Sequence, residues 1–219
     1  MLNNETRRKL LELGLPEMVA AIDIQNGDSN YAGLSFDERI GYITDYVYQE
    51  KFNQRVTRLI KQSKFRVAAD VKSIDYSDRG FTRDDILRIS DCSFINKHTS
   101  VIIHGPTGSG KTYLGCAIGK EACKQRIKTR YIRMPDLIME YDEFANITHG
   151  KQFLFELIER RYDNTATIFC TQYPKKDWHS RLGGGIHADS IMDRIVHNST
   201  WIFTGTKNMR EATAKADID

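Results

Sequence analysis

The sequence predicts an α/β fold with a parallel sheet, preceded by a small all-helical N-terminal domain. Three features predict it. Apolar runs at 101–103, 167–171 and 200–204 alternate with segments of helical periodicity, which implies parallel strands joined by right-handed crossovers. The first run meets a Gly-rich turn that opens straight into a helix. Residues 5–63, by contrast, carry helical spacing alone.

Taken in order, Leu10, Leu13, Met18 and Ile22 lie at helical spacing, and Gly14-Leu15-Pro16 splits them between two short helices. A polar loop over 26–33 leads to a longer helix from Phe36, announced by Ser35 and Glu38 as a capping box and ending near Ser63. A connector over 70–90 contains a helix at 82–89, opened by Thr82 with Asp84 and Asp85 in its first turn. Phe94, just before the first strand, reads as a core aromatic. Beyond the Gly-rich turn, Tyr113 to Gln125 forms a helix, 129–134 (TRYIRM) a second strand, and Pro135 starts another helix. A helix over 150–162 precedes the apolar run at 167–171, which has the continuous character of a strand buried in a parallel sheet. Helices at 177–182 and 188–197 then lead to the last strand at 200–204.

The turn itself, Gly105-Pro106-Thr107-Gly108-Ser109-Gly110-Lys111-Thr112, fits the phosphate-cradling pattern G-x-x-x-x-G-K-[ST] at every fixed position. Glycines let successive backbone N–H groups converge on one anion at a helix N-terminus. Lys111 supplies a point charge for the β- and γ-phosphates, and the Thr112 hydroxyl suits Mg²⁺. These residues and Tyr113 are the expected ATP contacts.

With 219 residues, 40% apolar and 28% charged, the chain has the composition of an ordinary soluble globular protein. Its net charge is only +3, so a nucleic-acid partner has to be sought in local clusters. One cluster is plain. Between Glu50 and Arg66, the cations Lys51, Arg55, Arg58, Lys61, Lys64 and Arg66 face a single carboxylate, and the first three share a helix face at i, i+4 and i+7. Such a row suits a phosphate backbone, although a solvated basic face is the commoner reason for a charge run. Cys92, Cys116, Cys123 and Cys170 show no C-x-x-C spacing and read as reduced thiols of a cytoplasmic protein. The histidines offer no metal-ligand spacing, and neither a signal peptide nor a membrane span is expected.

Several stretches together carry a resemblance: GPTGSGKTYLGCAIGKEACKQ, YIRMPDLI, FLFELIERRYD, TIFCTQYPKKDWH and ADSIMDRIVHNS, with LLELGLPEMVAAI and FDERIGYITDYVYQEKFNQRVTRLIKQSKFR upstream. They resemble the IstB-like helper ATPases of transposons, AAA+ proteins of the initiator clade related to the helicase loader DnaC. The resemblance implies a helical DNA-binding domain over 1–68 and an AAA+ P-loop NTPase domain over 69–219. It implies a homo-oligomer that shares its ATP sites between subunits, binds double-stranded DNA, and recruits or stimulates a transposase. Under it, Thr171, with Gln172 beside it, is similar to the polar sensor of the attacking water. Arg194 looks like the arginine finger that reaches the next subunit's γ-phosphate, an interaction worth roughly 10³ to 10⁵ in rate.

One departure bears on activity. Such an ATPase needs a strand ending in Asp-Glu between the second strand and the sensor strand. The interval 135–166 is too short by roughly one strand–helix unit, since one strand–helix–strand unit takes about 30 residues or more. The one acidic pair there is Asp142-Glu143, assigned to Mg²⁺ and to water activation respectively. Three readings cover the interval: a segment near 144–149 is missing, the chain is a shortened relative, or Asp142 and Glu143 serve. The short interval keeps open a nucleotide-binding DNA scaffold that hydrolyses little or not at all. A helicase loader is the alternative within the same fold. A small-molecule kinase fits less well, because it would follow the loop with an Arg-bearing lid.

Overall fold

The computed structural model describes residues 2–137, 139 and 150–211. The chain divides into two compact units, Met1–Leu59 and Ile60–Asp219. The first unit is helical. Asn3 caps α1 (Asn4–Glu12), its side chain accepting from the Glu5 N–H at 2.7 Å. Gly14, at a φ of 70°, and Pro16, at the first helical position, end one helix and start the next, α2 (Pro16–Gly27), as the sequence predicts. The capping box of α3 (Phe36–Gln62) is formed in both directions: the Ser35 N–H donates to the Glu38 carboxylate at 2.8 Å, and the Glu38 N–H donates to Ser35 Oγ at 3.3 Å.

The division falls earlier than the predicted 68/69. The chain beyond Leu59 belongs to the second unit because Ser63 is fully buried there, its hydroxyl 3.2 Å from Cys123 Sγ.

The second unit is built on a parallel sheet of order β2-β1-β3, from β1 (Ser100–His104), β2 (Ile168–Thr171) and β3 (Ser199–Phe203). Its helices are α4 (Arg83–Ser90), α5 (Ser93–Asn96), α6 (Lys111–Lys124), α7 (Gly150–Arg161), α8 (Lys175–Arg181) and α9 (Gly185–His197). Alternation along β1 sends neighbouring side chains to opposite faces. Val101 and Ile103 pack with Leu114 and Ile118 of α6 and Ile86 and Ile89 of α4. Ile102 packs with Ile158 of α7 and Ile191 and Ile195 of α9. Both faces of β1 are therefore covered, and its three central residues are 0% exposed. Phe94 lies in the first of these clusters, as a core aromatic.

Two expected strands turn out differently, and one cause serves both. Residues 129–133 form no strand; the Tyr131 N–H donates instead to the Ser63 carbonyl at 2.8 Å. β2, expected to be buried, is half-buried at Ile168 and Phe169 and exposed at Cys170. Among the described residues nothing pairs with the outer edge of β2, so TRYIRM has no strand to extend and β2 has no cover on that side.

Replacing Ile103 by Ala at the centre of β1 should cost about 2–5 kcal/mol. Urea unfolding should show this as a lower midpoint at unchanged m-value, whereas Leu11→Ala on the exposed side of α1 should change stability by less than about 0.5 kcal/mol.

Candidate phosphate-binding loop

β1 delivers the chain to the loop, and the Gly105 N–H donates to the Thr171 carbonyl at 3.3 Å, fixing the start of the loop to β2. Space dictates the glycines. A Cβ at Gly105 would lie 2.0 Å from Thr204 Oγ1, and one at Gly108, where φ is 85°, would lie 2.2 Å from Asn208 Oδ1. Gly110 then caps α6 in the left-handed conformation without a side-chain hydrogen bond. The first N–H groups of α6 have no side-chain acceptor from their cap, which leaves them to an external anion. This cradle fits a polyphosphate.

Buried hydroxyls hold the loop to the sheet. Ser109 and Thr204 are both 0% exposed, their oxygens 2.6 Å apart, and Ser109 Oγ also lies 2.8 Å from the Pro106 carbonyl. Arg79 closes the arrangement from the connector. Its Nη2 donates to the Ser109 carbonyl at 2.8 Å and its Nε to the Thr204 carbonyl at 3.1 Å, with the guanidinium 4.7 Å above the Phe81 ring. Sequence reasoning missed Arg79, since its partners lie 30 and 125 residues away and leave no local pattern.

Lys111 Nζ donates to the Pro106 carbonyl at 2.6 Å, within its own loop. Burial holds its pKa below the ordinary lysine value, and the nearby Arg210 charge adds to that effect. Thr107 Oγ1 donates to Gln172 Oε1 at 3.2 Å, which brings the residue after β2 to the loop. Thr171 Oγ1 accepts from the Tyr173 N–H at 3.1 Å. The Tyr113 hydroxyl engages the Asp70 backbone, and its ring packs against the core. Thr112, in the first turn of α6, would hold Mg²⁺ together with the nucleotide phosphates. Its expected acidic partners, Asp142 and Glu143, lie outside the described residues, among which no cluster of three or more His, Cys, Asp or Glu could bind a metal.

A model of the family described as "IstB-like ATP binding protein" matches residues 8–151 and 141–216. The chain belongs to that family. It is 28% identical to y4pL and 28% identical to y4uH, both of Sinorhizobium fredii and both named for an insertion sequence and for ATP binding. The first match takes in 96% of this chain and 97% of the relative, and the second 100% and 99%. The crystal structure of the DnaC helicase loader has a TM-score of 0.50 at 18% identity, over 62% of this chain and 96% of that one. The fold is that of the AAA+ proteins. The alignment to y4uH runs over 248 positions for the 219 residues here, so roughly 29 positions of the relative have no counterpart. The family match comes in two segments that overlap over 141–151.

In this IstB-like chain Arg194 is held by residues of the same chain. Its guanidinium pairs with Glu159 of α7 and donates to the Ser190 carbonyl at 3.2 Å, about 6.0 Å from the Tyr162 ring. Of the predicted DNA contacts, Arg55, Arg58, Lys61, Lys64 and Arg66 are exposed. Lys51, also exposed, donates its ammonium to the Gly14 carbonyl at 2.8 Å and pairs with Glu17 at 3.2 Å. The Glu17 side chain is 8% exposed, and a carboxylate so placed needs a cation. Arg130 and Arg133 line a cleft of about 380 Å³ with Lys64, Arg66, Tyr131 and Asp136, the last paired with Arg133 at 2.6 Å. No helix among the described residues is long and apolar enough to cross a membrane.

Asp75 offers a pH test of the site. The Ser77 backbone N–H, then the Ser77 and Lys207 side chains, lower its pKa from 3.8 to about 2. A depressed carboxylate stabilises the fold above its unfolded pKa and loses that contribution as the pH falls through its folded one. Thermal midpoints should therefore fall between about pH 4 and pH 2, and by less in Asp75→Asn than in the parent.

Proposed function

We propose that the protein is an ATP-dependent, DNA-binding helper of a mobile element, which assembles on target DNA and recruits or stimulates its transposase. The observation that carries this reading is the near full-length family match joined to a formed phosphate loop at Gly105 to Thr112. ATP would bind with its phosphates on the N–H groups at the start of α6, with Lys111 and Thr112 as its side-chain contacts and Mg²⁺ as the counter-ion. The exposed cations Arg55, Arg58, Lys61, Lys64 and Arg66 would neutralise backbone phosphates of duplex DNA without reading its sequence. Thr171 and Gln172 would face the terminal phosphate. Arg194 would act as a finger toward a neighbouring subunit once released from Glu159.

A second reading is favoured by the outer edge of β2, with which no strand among the described residues pairs, and by the short interval 135–166. Here the chain binds ATP in order to assemble on DNA and turns it over slowly or not at all. ATP hydrolysis, measured with and without duplex DNA and alongside sizing of the assembly, separates the two. DNA-dependent turnover that is lost in Arg194→Ala with binding retained supports the ATPase reading, whereas ATP-dependent assembly without phosphate release supports the scaffold. Lys111→Ala should weaken ATP binding at least about tenfold, as expected for loss of a charged hydrogen bond to phosphate. Duplex binding should fall steeply with salt, and Arg55→Ala combined with Arg58→Ala should reduce the slope of log K against log salt by about 2.

A further inference from the structure

The basic cleft of the second unit is made where two irregular segments meet. The Tyr131 N–H donates to the Ser63 carbonyl at 2.8 Å, which sets residues 126–133 beside residues 64–66. Both segments alternate inward and outward. Phe65 turns in against α6, its Cε1 lying 2.8 Å from the position a Gly119 Cβ would take, and Lys64 and Arg66 on either side of it are exposed. In the other segment Ile127 and Tyr131 pack on the core, and Arg126, Lys128 and Arg130 between and before them are exposed. Residues 127–133 thus keep the two-residue period of a strand without forming one, and the period puts the cations on one side.

Four cations line the cleft, Lys64 and Arg66 from one segment and Arg130 and Arg133 from the other. Asp136 is the one carboxylate among the described residues that line it. Arg133 binds that carboxylate through Nε and Nη2, each at 2.6 Å, and Nη1 is left for another acceptor. A concavity with this excess of positive charge attracts a polyanion. Its size narrows the choice. A volume of about 380 Å³ is that of a small-ligand site, which one nucleotide of a flexible chain can enter, whereas the rigid cylinder of a duplex would rest on the rim.

We propose that this cleft binds an unpaired nucleic-acid strand, at a site distinct from the duplex-contacting cations Arg55 and Arg58, which belong to the other unit. The four lining cations neutralise its phosphates, Tyr131 and Ile132 give a base an apolar wall, and Lys128 and Arg126 lead the backbone outward. Lys64 and Arg66 are common to this site and to the duplex reading above; Arg130 and Arg133 are specific to this one. The inference rests on neither ATP binding nor the duplex contacts.

Fluorescence anisotropy of the full chain tests this, with a labelled oligo(dT) of about 20 nucleotides and a duplex of the same length, each over a series of salt concentrations. Arg130→Ala combined with Arg133→Ala should weaken the single strand at least about tenfold. It should also lower the slope of log K against log salt by about 1.4, since each phosphate contact on a single strand contributes about 0.7. Duplex affinity of the same variant should change by less than about twofold, and Arg55→Ala with Arg58→Ala should show the opposite pattern. Arg130→Lys with Arg133→Lys should regain most of the single-strand affinity at the parent's thermal midpoint, because the contact is to charge and both side chains are exposed. Failure of the lysine variant to regain it overturns the phosphate contact. A parent that binds the duplex but not oligo(dT), a double alanine variant that loses both equally, or thymidine monophosphate competing as strongly as the oligomer overturns the site. Oligo(dT) binding that depends on Arg130 and Arg133 in a parent without duplex affinity upholds the site and overturns the duplex reading alone.

Discussion

The loop can hold its shape only because two buried hydroxyls meet. Ser109, inside the loop, and Thr204, just past β3, sit 2.6 Å apart with no solvent access. A buried hydroxyl without a partner is costly, so each fixes the other, and the guanidinium of Arg79 locks the carbonyls of the same two residues. The connector, the loop and the exit from β3 converge at this point. Displacement of any one would leave polar atoms of the other two unsatisfied. The cradle is in this sense a product of the sheet, which brings β1 and β3 side by side and aligns His104 with Phe203.

Much of this was legible in the sequence wherever the determining forces act locally. Gly14 with Pro16, Ser35 with Glu38, and Thr82 with Asp85 mark helix ends through contacts a few residues apart, and the structure forms both capping boxes. The phosphate loop is legible for the same reason, since its geometry is written into consecutive residues. Arg79 and the pairing of Lys207 with Asp75 were not legible, because they act across 30 to 132 residues and leave no period behind. The partner of Lys51 was hidden for a related reason: its charge shows in the sequence, whereas the buried Glu17 that pairs with it is 34 residues away and shows no sign of burial.

The strand predicted at 129–134 failed differently. TRYIRM has the composition of a strand, but strand propensity describes fitness for a sheet and needs a neighbour to pair with. The Tyr131 N–H goes to the Ser63 carbonyl instead, and the segment serves as a border to the basic cleft beside Lys64 and Arg66. The expected acidic pair, Asp142-Glu143, falls between this segment and β2 and lies outside the described residues. The phosphate loop is built from β1, α6 and the exit from β3.

The outer edge of β2, with which no strand among the described residues pairs, also bears on how the molecule behaves at high concentration. Ile168-Phe169-Cys170-Thr171 contains no charge and no proline, the usual devices that keep a sheet edge from pairing with another chain. A strand of this kind is a template for edge-to-edge association. A lysine placed among these four residues would blunt that template by setting a charge on the edge.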